Sequence, residues 1–197
     1  MTNSAHWLTG HSFGESVRSG HSQARNALGM SFFDYLEQHP AQAAEFSAGM
    51  SAGTAMWGQN LADAIDTTGI RRAVDVGEAN GALLSRLQDA NAELQGVVFD
   101  RPNIAESAKA MIAESAYASR NDVVGGDFFE SVPSGDLYLL KFILGHGGMM
   151  HFNMLACVDG RGRSREEFDM LLERAGLRRT KVRTTGAPQS VIEAIAA

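Results

Sequence analysis

The sequence has one cysteine, four prolines and no long apolar run. A lone Cys157 cannot close an intramolecular disulfide, which suits a reducing compartment. No stretch approaches the roughly 20 apolar residues that a membrane-spanning helix needs, so no membrane association is expected. The opening residues, MTNSAHWLTGHSFGES, are polar and lack the apolar centre of a secretory signal. The expected location is the cytoplasm. Basic charge is also short: 17 Lys and Arg stand against 23 Asp and Glu, a net charge of −6. Without a basic cluster, no nucleic-acid partner is expected. Internal repeats and low-complexity linkers are missing as well. What is present, 44% hydrophobic and 20% charged in 197 residues, is enough for one α/β domain with a sizeable core.

The first 30 residues carry Gly, Ser and His with little periodicity and read as irregular structure. From Ser31, Phe32, Phe33 and Leu36, then Phe46, Met50 and Trp57, recur at helical spacings around a break at Pro40. Core packing is the plain reading of these aromatics and methionines. After Gly69 the texture changes. RRAVDVG, GVVFD, NDVVGGDFF and DLYLLKFIL read as four strands, the last running from Leu137 to Leu144. GALLSRLQDANAEL and PNIAESAKAMIAESA between them read as helices. Near-continuous apolar strands alternating with helices predict a parallel sheet covered on both faces, a Rossmann-like, doubly wound α/β fold. SREEFDMLLERAGL predicts a further helix, with Ser164 and Glu167 as a capping box and Gly176 as its stop. RRTKVRTT and QSVIEAIAA predict a closing hairpin. The domain reading is 1–66, an irregular segment with helices, and 67–197, the α/β domain.

Three features fall where strands end, which is where open α/β sheets bind ligands. DVGEANG, Asp75 to Gly81, is a glycine turn opening a helix, so its backbone can approach a ligand closely. Asp100 ends the second strand about 20 residues beyond that turn, where a carboxylate takes ribose hydroxyls. In GGDFF, Asp127 can accept from an amino group and Phe128 can cover a flat ring. Taken singly, each is equally an ordinary turn or helix cap. Together they describe a nucleoside-bearing cofactor. The turn is G-x-x-x-G and not the G-x-G-x-x-G that seats a pyrophosphate, which leaves a dinucleotide-dependent dehydrogenase as a distant rival.

With these residues in view, the chain resembles the S-adenosylmethionine-dependent small-molecule O-methyltransferases, bacterial relatives of the plant caffeate-type enzymes. The likeness runs through HWLTGHSFGESVRSG, FFDYLEQHPAQAAEF, AVDVGEANGALL, GVVFDRPNI, VVGGDFFESVPSGDLYLLKFIL, NMLACVDGRGRSREEFDMLLERAGL and SVIEAI. It implies S-adenosyl-L-methionine as cofactor and a small-molecule hydroxyl acceptor. Gly77, Ala79 and Gly81 would line the methionine part, Asp100 would hold the ribose and Asp127 with Phe128 the adenine, with Lys141 beside the cofactor and Arg101 also among the cofactor-binding residues. Phe46, Met50, Met56 and Trp57 would approach the acceptor pocket, against the plainer reading of core. No metal is implied, and His146, His151 and Cys157 match no standard zinc spacing.

The chain departs from that family pattern in three ways. The resemblance begins after the family's N-terminal dimerisation domain, so the usual dimer is not expected and self-association would need another surface. Glu78 stands in the second glycine slot of D-x-G-G-x-x-G. After Lys141, the family's K-x-x-x-H-D-W is replaced by a segment with Gly145 in the histidine slot and His146 one place late, between glycines. Gly162 stands where a carboxylate orients that histidine. A helix and one central strand are expected to be missing before NMLACVDGRGR. His146 is the one catalytic candidate, and its alternative is an exposed loop residue. The implied function is O-methyl transfer with degraded catalytic machinery. The alternative is a non-catalytic, cofactor-binding or protein-interacting relative.

Overall fold

The computed structural model describes residues 4–78, 80–141, 143, 155–158 and 163–197. Contacts divide the chain into two compact units. One draws on Met1–Met50, Gly145–Lys181 and Glu193–Ala197, the other on Ser51–Leu144 and Val182–Ile192.

The first unit corrects the reading of the N-terminus as irregular. Within the first 30 residues lie three short helices, α1 (Ser4–His11), α2 (Phe13–Ser19) and α3 (Ala24–Leu28), and α4 (Phe32–Gln38) follows where helical spacing was read from Ser31. Two of the four glycines there, Gly20 and Gly29, are helix stops. Gly20 and Gly29 take φ of 73° and 79°, and their N–H groups close on Ser16 O and Arg25 O, the left-handed C-cap that glycine adopts without strain. The helices pack through small residues, with Ala5, Thr9 and Ser16 all fully buried, so no large apolar stripe marks them. Thr9 spends its hydroxyl on Ala5 O at 3.0 Å and lies 3.3 Å from Cys157 Sγ. Residues 155–158 are helical, and Ala156 and Cys157 join Ala5, Ala24, Phe32 and Leu36 in one apolar cluster.

Helix α5 (Pro40–Ala62) begins with proline, at the position where a missing N–H costs least. The break at Pro40 is therefore a junction between α4 and α5.

The second unit is built on β1 (Arg72–Val76), β2 (Gln95–Asp100), β3 (Asn121–Gly125) and β4 (Leu137–Leu139), all parallel in the order β3-β2-β1-β4. Two helices follow strands: α6 (Ala82–Ala90) after β1 and α7 (Pro102–Ala113) after β2. Ala73 and Val98 pack with Leu83, Leu84, Leu87, Leu94, Ile112 and Leu139. Val74, Val76, Val97 and Phe99 form a second cluster that takes in Phe128. The apolar runs of β1 and β2 thus serve two faces, as predicted for a covered parallel sheet. Each fully buried Leu or Val contributes about 1.5–3 kcal/mol.

The fourth strand is shorter than expected. Leu137–Leu139 is the whole of β4, and Tyr138 and Leu140 are 40% and 43% exposed. Its ladder is formed with β1 alone among the described residues. Helix α6 also ends early, at Ala90, because Asn91 turns extended and sets Leu94 into the core ahead of β2.

Helix α8 (Arg165–Arg174) carries the predicted capping box, with Glu167 N–H on Ser164 Oγ at 3.2 Å and Ser164 N–H on Glu167 Oε2 at 2.8 Å. The predicted hairpin is β5 (Leu177–Thr184) with β6 (Ser190–Ala196). Among the described residues it is a sheet of its own, and the parallel sheet has four strands.

Candidate cofactor site at the strand ends

Strand β1 delivers Asp75 and Val76 to the sheet's carboxyl end, and the chain turns at Gly77 with φ 71°. That value is open to glycine, and a side chain there would collide with Ile143. Gly77 N–H donates to Phe99 O at 2.8 Å, tying the turn to the end of β2, where Asp100 follows. Gly81, φ 59°, caps α6, and a Cβ on it would press on Val98. Asn80 shapes the same turn: its Oδ1 accepts from Ala82 N at 3.1 Å and its Nδ2 donates to Ser51 Oγ at 2.5 Å.

The electrostatics of this end are unusual. Glu78 is buried, and its Oε2 lies 2.7 Å from Lys141 Nζ, the two side chains being 8% and 6% exposed. Lys141 also donates to the hydroxyl of buried Thr54. Asp75 is fully buried, and neither carboxylate oxygen has a hydrogen-bond partner of ordinary geometry among the described residues. Burial, then the Glu78 charge, hold its pKa well above the ordinary carboxylate value, against the opposing pull of Lys141 and the Leu84 N–H. Asp100 is raised too, first by burial, although its Oδ1 accepts from Arg101 N at 2.7 Å. Perturbed carboxylates gathered at strand ends are what a ligand site looks like physically.

The remaining candidates divide. Arg101 is exposed. Asp127 is exposed, and one of its oxygens accepts from Phe129 N at 2.9 Å. Phe128 packs on the Val74, Val76, Val97 and Phe99 cluster, so its ring is fixed beside β1 and β2. Phe46 belongs to an aromatic group, 5.7 Å from Phe32 and 6.2 Å from Phe33. Met50 and Trp57 are partly buried, while Met56 is 69% exposed. Ala79, His146, Gly145 and Gly162 lie outside the described residues. Sequence reasoning missed Thr54 and the pairing of Glu78 with Lys141. The only signal was Glu78 itself, a charge in a glycine slot.

A family model described as an O-methyltransferase domain matches residues 11–146. The chain belongs to this O-methyltransferase family. Among curated relatives, the phenazine O-methyltransferase PhzM of Lysobacter antibioticus is 33% identical over 130 residues, 66% of this chain and 38% of the relative. The O-demethylpuromycin-O-methyltransferase of Streptomyces alboniger is 31% identical over 228 residues, 92% of this chain and 61% of the relative. The chain therefore spans less than two thirds of either. Among solved structures, an O-methyltransferase of neocarzinostatin biosynthesis, NcsB1, in complex with S-adenosylmethionine and 2-hydroxy-5-methyl naphthoic acid, superposes with a TM-score of 0.89 at 26% identity. That match covers 98% of this chain and 69% of the other. The glycine turn after β1 and the aspartate ending β2 occupy adjacent strand ends.

Proposed function

We propose that the chain binds S-adenosyl-L-methionine at the carboxyl ends of β1, β2 and β3 and derives from an enzyme that methylates a hydroxyl of a small aromatic or alcohol acceptor. The observation that carries this reading is the juxtaposition of the Gly77 turn with Asp100, secured by the Gly77 N–H to Phe99 O bond. The residues fit the cofactor's parts. A turn without Cβ atoms at Gly77 and Gly81 admits close approach of the methionine portion. Asp100, short of the hydrogen bonds that would offset its burial, accepts from ribose hydroxyls. Asp127 keeps one oxygen clear of its Phe129 bond for the adenine amino group, and Phe128 offers a fixed ring edge. Bound there, the cofactor supplies a methyl group on cationic sulfur, ready for in-line displacement.

Transfer then depends on how the chain holds an acceptor oxygen, because proximity alone supplies much of the rate. The family's base is not in its slot, since Gly145 follows Lys141 where the histidine belongs. An acceptor that ionises by itself, such as an acidic phenol, suffers least from that loss. His146 is the remaining candidate base.

The second reading, a cofactor-binding relative without turnover, has its own support. The S. alboniger alignment spans 228 positions yet takes in 92% of 197 residues, about 181, so about 47 positions of the relative face nothing here. Unmatched positions of that number support a relative reduced from the family's full domain.

Calorimetric titration of S-adenosylmethionine and S-adenosylhomocysteine tests both readings. We expect dissociation constants on the order of micromolar, abolished in Asp100→Ala. Methylation of an acidic phenol, diminished in His146→Ala, would favour the enzyme. Binding without turnover favours the second reading, and no binding to folded protein overturns the cofactor assignment.

A further inference from the structure

Lys141 was expected beside the cofactor, but its pairing with Glu78 was not, and the pair is costly to build. Two buried charges must be desolvated, and a glycine in that slot would avoid the expense. The pair is also unbalanced with respect to its surroundings. Glu78 Oε2 meets Lys141 Nζ at 2.7 Å, and Lys141 turns a further proton to Thr54. On the other side stand Asp75, fully buried with both oxygens unpartnered among the described residues, and Asp100, at the end of the neighbouring strand. Glu78 thus shares the strand ends with two further carboxyl groups. The Glu78 carboxylate acts to raise both Asp75 and Asp100, opposed by Lys141 at the first and by Arg101 at the second. Glu78 is the member of the pair that sits in the glycine turn itself, directly after Gly77.

We propose that Glu78 makes this site selective for the charge of its ligand, favouring a cationic sulfonium or ammonium form over the neutral thioether of the same adenosyl amino acid. The inference rests on the cofactor reading and deepens it. A buried carboxylate acts over several ångströms in a medium of low effective dielectric, so a ligand gains or loses by its sulfur charge with no direct contact needed. S-adenosylmethionine carries that charge, and S-adenosylhomocysteine does not. Thr54 and Lys141 act through Glu78, holding its carboxylate in place.

The test is the ratio of dissociation constants for S-adenosylhomocysteine and S-adenosylmethionine, with sinefungin, an amine-bearing cationic analogue that cannot transfer a methyl, as a third probe. In the native protein both cations should bind about tenfold more tightly than the thioether, and in Glu78→Gln the preference should shrink to within about threefold. Because that variant leaves Lys141 buried without its carboxylate, Glu78→Gln/Lys141→Met is measured beside it. It leaves no unpaired charge, and its preference should shrink as well. Circular dichroism establishes folding in each case. A ratio unchanged in both variants, with binding still abolished by Asp100→Ala, overturns charge selection and leaves the cofactor site standing. Failure of all three ligands to bind folded native protein overturns the site and charge selection together.

Discussion

At the end of the sheet where β2 and β3 begin, Gln88 and Asn121 exchange amide hydrogen bonds at 2.7 and 3.2 Å, and Gln88 also donates to Leu94 O at 3.1 Å. At the opposite end, where β1 and β2 finish, Asp75 is equally buried and neither of its oxygens has a partner among the described residues, while Glu78 and Lys141 lock charge against charge. Both ends bury polar atoms against the same apolar core. The first does so with neutral groups that satisfy each other and so contributes to stability at little risk. The second keeps charge and an unsatisfied carboxylate, which fold stability alone does not call for. Polar burial that closes on itself is architecture; polar burial left open is where a ligand is expected.

The contrast can be broken most forcefully at the ion pair. Lys141→Met or Glu78→Gln alone should cost about 3–5 kcal/mol by stranding a buried charge, whereas the double variant should lie close to the native protein. Urea denaturation of all four proteins measures this coupling, and additive single costs would mean the pair is not formed. At the other end, Gln88→Ala should cost about 2 kcal/mol by leaving Asn121 and Leu94 O unpartnered. Its affinity for S-adenosylmethionine should stay within about twofold of native, since no charge near the strand termini changes. A large loss of affinity would erase the distinction between the two ends.

Asp75→Asn should be neutral or stabilising by about 1 kcal/mol near neutral pH, unlike most core substitutions. The sign follows from linkage. The folded state holds the Asp75 proton above the unfolded value near 3.8, so it binds more protons than the unfolded state as pH rises from there. Native stability from this group is therefore greatest at low pH and falls as pH rises toward the folded pKa. Asp100, raised in the same direction, keeps part of that slope in the variant. Thermal melts of both proteins from pH 4 to 7 should converge at the acidic end. Smallest of all, Ser164→Ala should remove about 1 kcal/mol by loss of a helix cap with no change in cofactor affinity, as a control outside both ends.

Some of this was legible in the sequence because it is local. The capping box at Ser164 and Glu167, the junction at Pro40, the glycine turn after RAVDV and the hairpin each depend on residues a few places apart. The first two helices were not legible because they bury Ala5, Thr9 and Ser16, and small residues leave no hydrophobic period to read. The length of β4 was missed for a different reason. An apolar run reports willingness to be a strand, while the ladder's length depends on what lies beside it.

The sequence by itself determined the parallel α/β sheet, the family, and which glycine and aspartates end up at strand termini, since strand periodicity and turn chemistry act between neighbours in the chain. Only the tertiary structure decided that Glu78 turns inward, that Lys141 meets it from 63 residues away, and that Thr54 holds the lysine from 87 away. Those contacts join three separate segments, and their energies come from burial and charge at distances that no local pattern encodes.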